Sequence, residues 1–366
     1  MITGVIMRNF KVFEDAALPL RALNVLTGLN SSGKSSVIQA LRILNMQGLF
    51  GGMGSWKEFA RYESNEVELE FSRNKEDIYD LEFALAYNRS DNILNRYNYK
   101  NNPFYNNNSV NTLGFLSYIS ANRYGPRNTL PLRTDEAALS VGECGEYIVD
   151  FLQSIDRDEW LDGVDTPECL SIDGKSLNGN IIAWIRKISP EIGIKPESFD
   201  KTDVGRVMWD GFRAAHVGFG LSHALPIIAS VLVHSGQRVD GRVPLPDNCN
   251  FEKNVLLLIE NPEAHLHPAG QTTMGRLLAY AASCGVQIVV ETHSDHLLNG
   301  MRIAVKEGVL SPKDFGCLFF SLPECGKKMY RDAVQFDDIR IDAHGMLEYW
   351  PTNFFDETEK NLLQLI

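Results

Sequence analysis

Residues 28–35 read Gly-Leu-Asn-Ser-Ser-Gly-Lys-Ser, and few eight-residue patterns restrict a fold so tightly. Ahead of them Leu23 to Thr27 is short, apolar and partly β-branched, as a buried strand is. Behind them Ser36 to Leu44 carries apolar residues at helical spacing. Strand, glycine-rich loop and helix start, in that order, form the setting in which such a loop cradles phosphate. The glycines let main-chain N–H groups converge on phosphate oxygens at the positive end of the helix. On this reading Asn30, Ser31, Ser32, Gly33, Lys34, Ser35 and Ser36 line a nucleotide site. Lys34 reaches the β- and γ-phosphates, and the Ser35 hydroxyl holds Mg2+. A Gly/Ser turn before an ordinary helix leaves Lys34 and Ser35 at that offset unexplained.

The chain has 366 residues, more than a typical domain of roughly 100–200. Two lobes, or one domain with an insertion, are therefore expected. Its 44% hydrophobic and 22% charged residues suit a chain that buries a large core. The net charge of -12, from 35 basic and 47 acidic residues, argues against a chain-wide grip on nucleic acid. It leaves room for a local basic patch, or one made on dimerisation. Cys144, Cys169, Cys249, Cys284, Cys317 and Cys325 are scattered without a Cys-x-x-Cys pair. That fits neither a zinc ribbon nor a disulfide framework and implies a reducing cytoplasm. Arg8 and Lys11 interrupt any signal-peptide-like run. No apolar stretch reaches the ~18 residues of a membrane span, so a cytoplasmic protein without membrane contact is expected.

Met1 to Phe13 alternates well enough to predict an edge strand. Residues 66–71 alternate strictly, charged out and apolar in, and 79–87 continue an antiparallel meander. Asn95 to Asn111 is crowded with Asn and Tyr and reads as a solvated loop. Leu116 to Ile119 predicts another strand, followed by Asn122-Arg123-Tyr124-Gly125-Pro126-Arg127. Helical patterns at 146–155 and 181–188, joined by Asp/Gly-rich sequence without β-branched alternation, predict a helical insertion. No heptad repeat signals a long coiled coil.

Val255 to Glu260 is an apolar run ending in a carboxylate, the pattern of a buried parallel strand that delivers an acid at its C-terminal end. Gly285 to Val290 reads as a second buried strand, and it leads into Glu291-Thr292-His293-Ser294. A polar triplet there is well placed to meet a γ-phosphate, and Glu260 to bind Mg2+ directly or through water. Any single piece has an ordinary structural explanation; their order after a phosphate loop is harder to dismiss.

Together these pieces resemble the ATP-binding-cassette (ABC) type of P-loop ATPases, the RecF/SMC/OLD-like group within the AAA families. The resemblance rests on Asn9-Phe10-Lys11, the loop 28–35, Glu260-Asn261-Pro262-Glu263-Ala264-His265-Leu266-His267-Pro268 and Glu291-Thr292-His293-Ser294. It implies an α/β head with an antiparallel β meander, a mainly parallel core sheet flanked by helices, and a helical inserted lobe. The head would span 1–127 and 216–366, and the lobe 128–215. Gly218-Phe219-Gly220-Leu221-Ser222 occupies the signature-motif position. Gly218, Gly220 and Ser222 would there hold the γ-phosphate of ATP bound by a second protomer. His293 takes the switch-histidine role, and His265 and His267 fall at a dimer interface rather than on a metal. Arg8, Phe10 and Lys11 either touch the nucleotide or serve an edge strand. Neither Gln39 nor Gln47 is a good match for the family's Q-loop glutamine.

The family's usual pair is two adjacent acids, one for Mg2+ and one as general base. Here Asn261 follows Glu260, and an amide can orient water but cannot take its proton at neutral pH. Either Glu263 takes over, or hydrolysis is slow and the protein is an ATP-dependent clamp. The tail 342–357 resembles a bacterial subfamily of unknown function whose members often lie beside phage-defence and restriction genes. The resemblance thus implies an ATPase that forms a homodimer or higher even oligomer and controls a separate effector, a nuclease or toxin. Alternatives are a non-hydrolysing scaffold or sensor and a DNA-repair-type clamp. A TOPRIM nuclease within this chain is not expected, because the stretch after Ser294 lacks the spaced carboxylates such chemistry needs.

Overall fold

A computed structural model of the chain describes residues 1–45, 53–61, 64–72, 81–88, 93–97, 115–133, 140–157, 164–199, 201–238, 255–321 and 334–365. Gln47, Cys249, Cys325 and most of the Asn-rich stretch fall outside them. The described residues hold seventeen strands and eight α-helices, numbered here in chain order. They form two compact units, Met1–Leu116 with Pro312–Asp342 and Met346–Ile366, and Ser117–Ser311 with Ala343–Gly345. Among these residues no helix is long and apolar enough to cross a membrane.

In the first unit β1 (Gly4–Phe10), β2 (Phe13–Pro19), β4 (Glu66–Ser72), β5 (Leu81–Asn88) and β6 (Ile93–Tyr97) form an antiparallel sheet. Its order is β2-β1-β4-β5-β6. The alternation in β4 does what it predicts: Val67, Leu69 and Phe71 are fully buried. Their charged neighbours line the other face, where Arg8 of β1 donates to Glu68 at 2.8 Å and Glu70 at 2.7 Å. Opposite charges across paired strands stabilise that register. The expectation that the N-terminal strand lies at an edge is corrected. A tight turn after Phe10 folds β2 back along β1, and β4 takes the other side. The sequence Phe-Glu-Asp-Ala-Ala-Leu-Pro of β2 has little β propensity, which is why its pairing was not legible.

Also in this unit, β3 (Leu23–Gly28) pairs in parallel with β16 (Phe315–Ser321), and β16 pairs antiparallel with β17 (Gln335–Ile339). Leu23, Val25 and Leu26 are fully buried, with Asn24 buried between them, as in a strand covered on both faces. Arg21, just before β3, makes a two-pronged contact with Asp338 of β17 at 2.9 and 2.7 Å. Helix α1 (Lys34–Asn45) follows the loop after β3; α2 (Trp56–Phe59) and α8 (Glu357–Leu365) complete the unit.

β7 (Phe115–Ile119) leads into the second unit. There β14 (Val255–Glu260) pairs in parallel with β15 (Gln287–Glu291), so that Glu260 and Glu291 lie side by side at the strand ends. Helix α6 (Pro268–Ser283) makes the crossover between them and packs on α7 (Asp295–Lys306). Helix α5 (Phe219–Ser235) is buried along nearly all of its length.

Residues 128–215 are not helical throughout. They hold α3 (Ile148–Arg157) and α4 (Leu177–Ile188), but also β10 (Ile194–Ser198), β11 (Val204–Trp209) and β12 (Phe212–Arg213), with β8 (Leu130–Pro131) pairing on β11. Strand β11 does alternate, burying Gly205, Val207 and Trp209. A glycine and a tryptophan on the inner face hid that period. Helix α4 starts earlier than its apolar pattern because the Ser176 hydroxyl caps it, accepting from the Gly179 N–H. A two-stranded pair, β9 (Val164–Asp165) with β13 (Gln237–Arg238), also lies in this unit. A disulfide joins Cys169 to Cys284 there, a pairing that the scattered cysteine spacing did not suggest.

Asp338 offers a stability test. Its contact with Arg21 is largely buried, with side-chain exposures of 9% and 18%, whereas Arg340 approaches the same carboxylate with 58% of its side chain exposed. Arg21→Met should destabilise the protein by roughly 2–4 kcal/mol, since it removes the buried partner of Asp338 and leaves the carboxylate to the exposed Arg340. Arg340→Met should cost under about 1 kcal/mol. Chemical denaturation of both variants beside the parent would measure the difference.

Candidate functional site

The phosphate-type loop in the first unit is shaped by its backbone. Gly28 has φ 135° and Gly33 φ 98°, and Ser31 between them is left-handed at 63°. A side chain at Gly28 would run into the Phe320 carbonyl of β16, so only glycine lets the loop leave the sheet there. Ser32 is buried and its hydroxyl donates to the Leu29 carbonyl at 2.7 Å. Asn30, Ser31 and Ser35 are exposed, while Ser36 is buried, with its N–H on the Gly33 carbonyl. Lys34 opens α1 with a side chain only 3% exposed. Its Nζ donates back across the loop, to the carbonyls of Gly28 at 3.0 Å and Leu29 at 2.7 Å. The ammonium is thus held at the concave side of successive turned peptides, a nest suited to phosphate oxygens.

The N-terminal trio divides. Arg8 serves the sheet face, and Phe10 is fully buried against Phe59, their rings 5.6 Å apart. Lys11, left-handed at φ 51°, donates to Gln39 Oε1 at 2.5 Å and lies 5.1 Å from the Phe59 ring centre. Burial lowers its pKa. Gln39, on α1, is therefore engaged by Lys11.

In the second unit the strand ends gather carboxylates. Glu260, half-buried, accepts the Ala121 N–H through Oε2 at 3.0 Å. Asn261 turns left-handed at φ 45°, with its N–H on the Glu291 carbonyl at 2.8 Å. Glu263 Oε1 accepts the His293 N–H at 2.9 Å, while its Oε2 is buried without a hydrogen-bond partner. Burial pushes the Glu263 carboxyl pKa up, against the opposing pull of that amide, the Thr292 hydroxyl and Arg123. Asn261 Oδ1 is likewise buried and unpartnered. Hard oxygen donors of this kind, beside the Glu260 carboxylate, suit Mg2+ and ordered water.

The triplet after β15 is split by role. Thr292 is fully buried, and its Oγ1 accepts the Ser294 N–H at 3.0 Å. Ser294 caps α7 through the Leu297 N–H at 3.0 Å and donates to Gln271 Oε1 at 2.5 Å. His293 alone of the three faces solvent. His267 caps α6 by accepting the Ala269 N–H through Nδ1.

Gly218 caps α5, with Phe219 exposed and Ser222 half-exposed in its first turn. The structure packs this turn on the segment after β14. A side chain at Gly220 would stand 2.6 Å from the His265 carbonyl. The His223 ring lies 4.7 Å from that of His265, and Phe219 lies 5.3 Å from His265. Burial, helped by Arg123 and His265, takes the His223 pKa down to about 4, so it is neutral at pH 7.

The sequence alone points to no role for Arg123. It is 4% exposed and donates to three main-chain carbonyls, Ser120, Glu260 and Asn261. Its only sequence signal was a cation directly after an apolar strand.

Comparison with known proteins identifies a family and a fold. The family described as AAA ATPase domain matches residues 1–153 and 174–298. Residues 310–365 match the family described as protein of unknown function (DUF3696). No curated protein matches the chain. Among solved structures, an SMC head bound to the C-winged helix domain of ScpA aligns with TM-score 0.55 at 12% identity, covering 93% of this chain and 98% of that one. An SMC head with an extended coiled coil, bound to the C-terminal domain of ScpA and derived from Pyrococcus furiosus, aligns with TM-score 0.51 at 11% identity, covering 100% and 99%. These likenesses establish the fold of an SMC head domain. With more than half of its length matched, the chain belongs to the AAA ATPase domain family.

Proposed function

We propose that this protein binds and hydrolyses ATP, and that two protomers close around ATP to control a separate effector. The observation that carries the reading is Glu263. Asn261 cannot act as a base, but Glu263 is a half-buried carboxylate whose Oε1 accepts the His293 amide and whose buried Oε2 has no partner. A carboxylate so held can accept a proton from water. Lys34 and the loop 30–36 bind the phosphates, and Ser35 and Glu260 hold Mg2+, which supplies charge neutralisation when bound. His293, exposed beside the amide that fixes Glu263, senses the γ-phosphate.

Gly218, Gly220 and Ser222 complete the site of the other protomer in a homodimer or higher even oligomer. The contact between Gly220 and His265 supports this role, because closure would press on the turn that carries Glu263. Residues 1–127 and 216–366 serve as the head and 128–215 as an inserted lobe. The effector, a nuclease or toxin, and a place in bacterial anti-phage defence follow from the resemblance of the tail. An SMC head in a solved structure is bound to a domain of ScpA, which offers a precedent for a partner protein on such a fold. The non-hydrolysing scaffold remains the second reading, favoured by Asn261 itself.

Three substitutions test these roles. Lys34→Ala should weaken ATP binding by about 100-fold or more in calorimetric titration, as expected when a phosphate-binding ammonium is removed. Glu263→Gln should keep nucleotide affinity and lower single-turnover hydrolysis by roughly 10²–10⁴-fold; an unchanged rate removes Glu263 as the base. Ser222→Arg should leave ATP binding to the monomer intact and abolish ATP-dependent dimers in analytical ultracentrifugation. Dimers that persist in that variant would sink the sandwich.

A further inference from the structure

The turn after β14 is an unusual piece of backbone. Asn261 and His265 are both left-handed, at φ 45° and 62°, without a glycine between them. Left-handed residues other than glycine are uncommon, and two so close together persist where their surroundings hold them. From one side the holding is done by the segment after β7. The Arg123 guanidinium donates to the Glu260 and Asn261 carbonyls, both at 2.6 Å, and to the Ser120 carbonyl at 2.7 Å. The adjacent Ala121 N–H fixes the Glu260 carboxylate itself.

This is an odd place for an ordinary ion pair. The cation is buried, its Nε has no hydrogen-bond partner, and its direct acceptors are neutral carbonyls rather than carboxylates. Desolvation lowers its pKa to about 10, with Glu263 and Glu260 the first charges that offset it. A buried cation spent on main-chain oxygens fixes peptide orientation, and no apolar side chain could replace that.

The geometry points to Arg123 as a positioning residue for hydrolysis, one that holds the Glu260–Asn261 peptides so that the Glu260 and Glu263 carboxylates face their work. It rests on the hydrolytic reading above. It acts through Glu260 and Glu263 and touches no substrate, so its loss should fall on turnover rather than binding.

The test compares the parent, Arg123→Lys and Arg123→Ala in steady-state ATP hydrolysis, with thermal melting and hydrogen–deuterium exchange on the same samples. In Arg123→Ala, kcat should fall roughly 10–100-fold, the usual cost of losing an outer-shell partner, while KM for ATP stays within about threefold. Millimolar guanidinium should restore part of that kcat, and Arg123→Lys should lie between the other two. Exchange protection should drop over 260–265 and not across α5 or α6. A kcat within about threefold of the parent overturns the assignment. So does a loss shared equally by kcat, KM and melting temperature with no guanidinium rescue, since that describes general damage. If the parent itself hydrolyses no ATP, the hydrolytic reading falls. Exchange then decides the clamp alone: selective loss over 260–265 sustains it and unchanged protection removes it.

Discussion

Everything in the phosphate loop depends on a main chain that can leave a buried parallel strand without a side chain in the way. The β3–β16 pairing brings the Phe320 carbonyl up against Gly28, and the Arg21–Asp338 contact anchors the start of the same strand against β17. With those two points fixed, the peptides from Leu29 to Gly33 have little choice but to curl. Lys34 is carried into the hollow of that curl by the first turn of α1. The loop's chemistry is thus inherited from sheet geometry, and the serines at its rim add donors to a shape already set.

In the second unit the governing constraint is polar accounting at the C-terminal ends of two buried strands. Glu260, Asn261 and Glu263 emerge half-buried and Thr292 buried, and three main-chain amides are committed there: the Ala121 amide to Glu260, the His293 amide to Glu263, the Ser294 amide to Thr292. Among the buried side-chain atoms left unpartnered in the described residues are two oxygens of this turn, Asn261 Oδ1 and Glu263 Oε2. Buried acceptors left open are costly unless something regularly fills them. On the proposed function, Mg2+ and water would fill them.

Much of this was legible in the chain. Strand, loop and helix around 28–35, the acid at the end of β14 and the meander of β4 and β5 all carry local periodicity, and all came out where that periodicity puts them. The rest was set by partners remote in sequence. That β1 lies inside its sheet depends on a weakly patterned β2. That residues 194–213 form strands depends on Gly205 and Trp209 sharing an inner face with Val207. That Arg123 matters depends on carbonyls 137 and 138 residues away. A cation whose partners are backbone oxygens leaves no complementary charge in the sequence to betray it.

The left-handed turn at Asn261 puts the missing second acid in another light. At φ 45° an asparagine is among the few non-glycine residues at ease, whereas glutamate is not. The amide at this position is therefore a conformational choice as much as a chemical one. A chain that bends here gives up the adjacent carboxylate, and on the proposed function takes its base from further round the bend. Restoring the acid by engineering would set side-chain chemistry against backbone shape at one and the same residue.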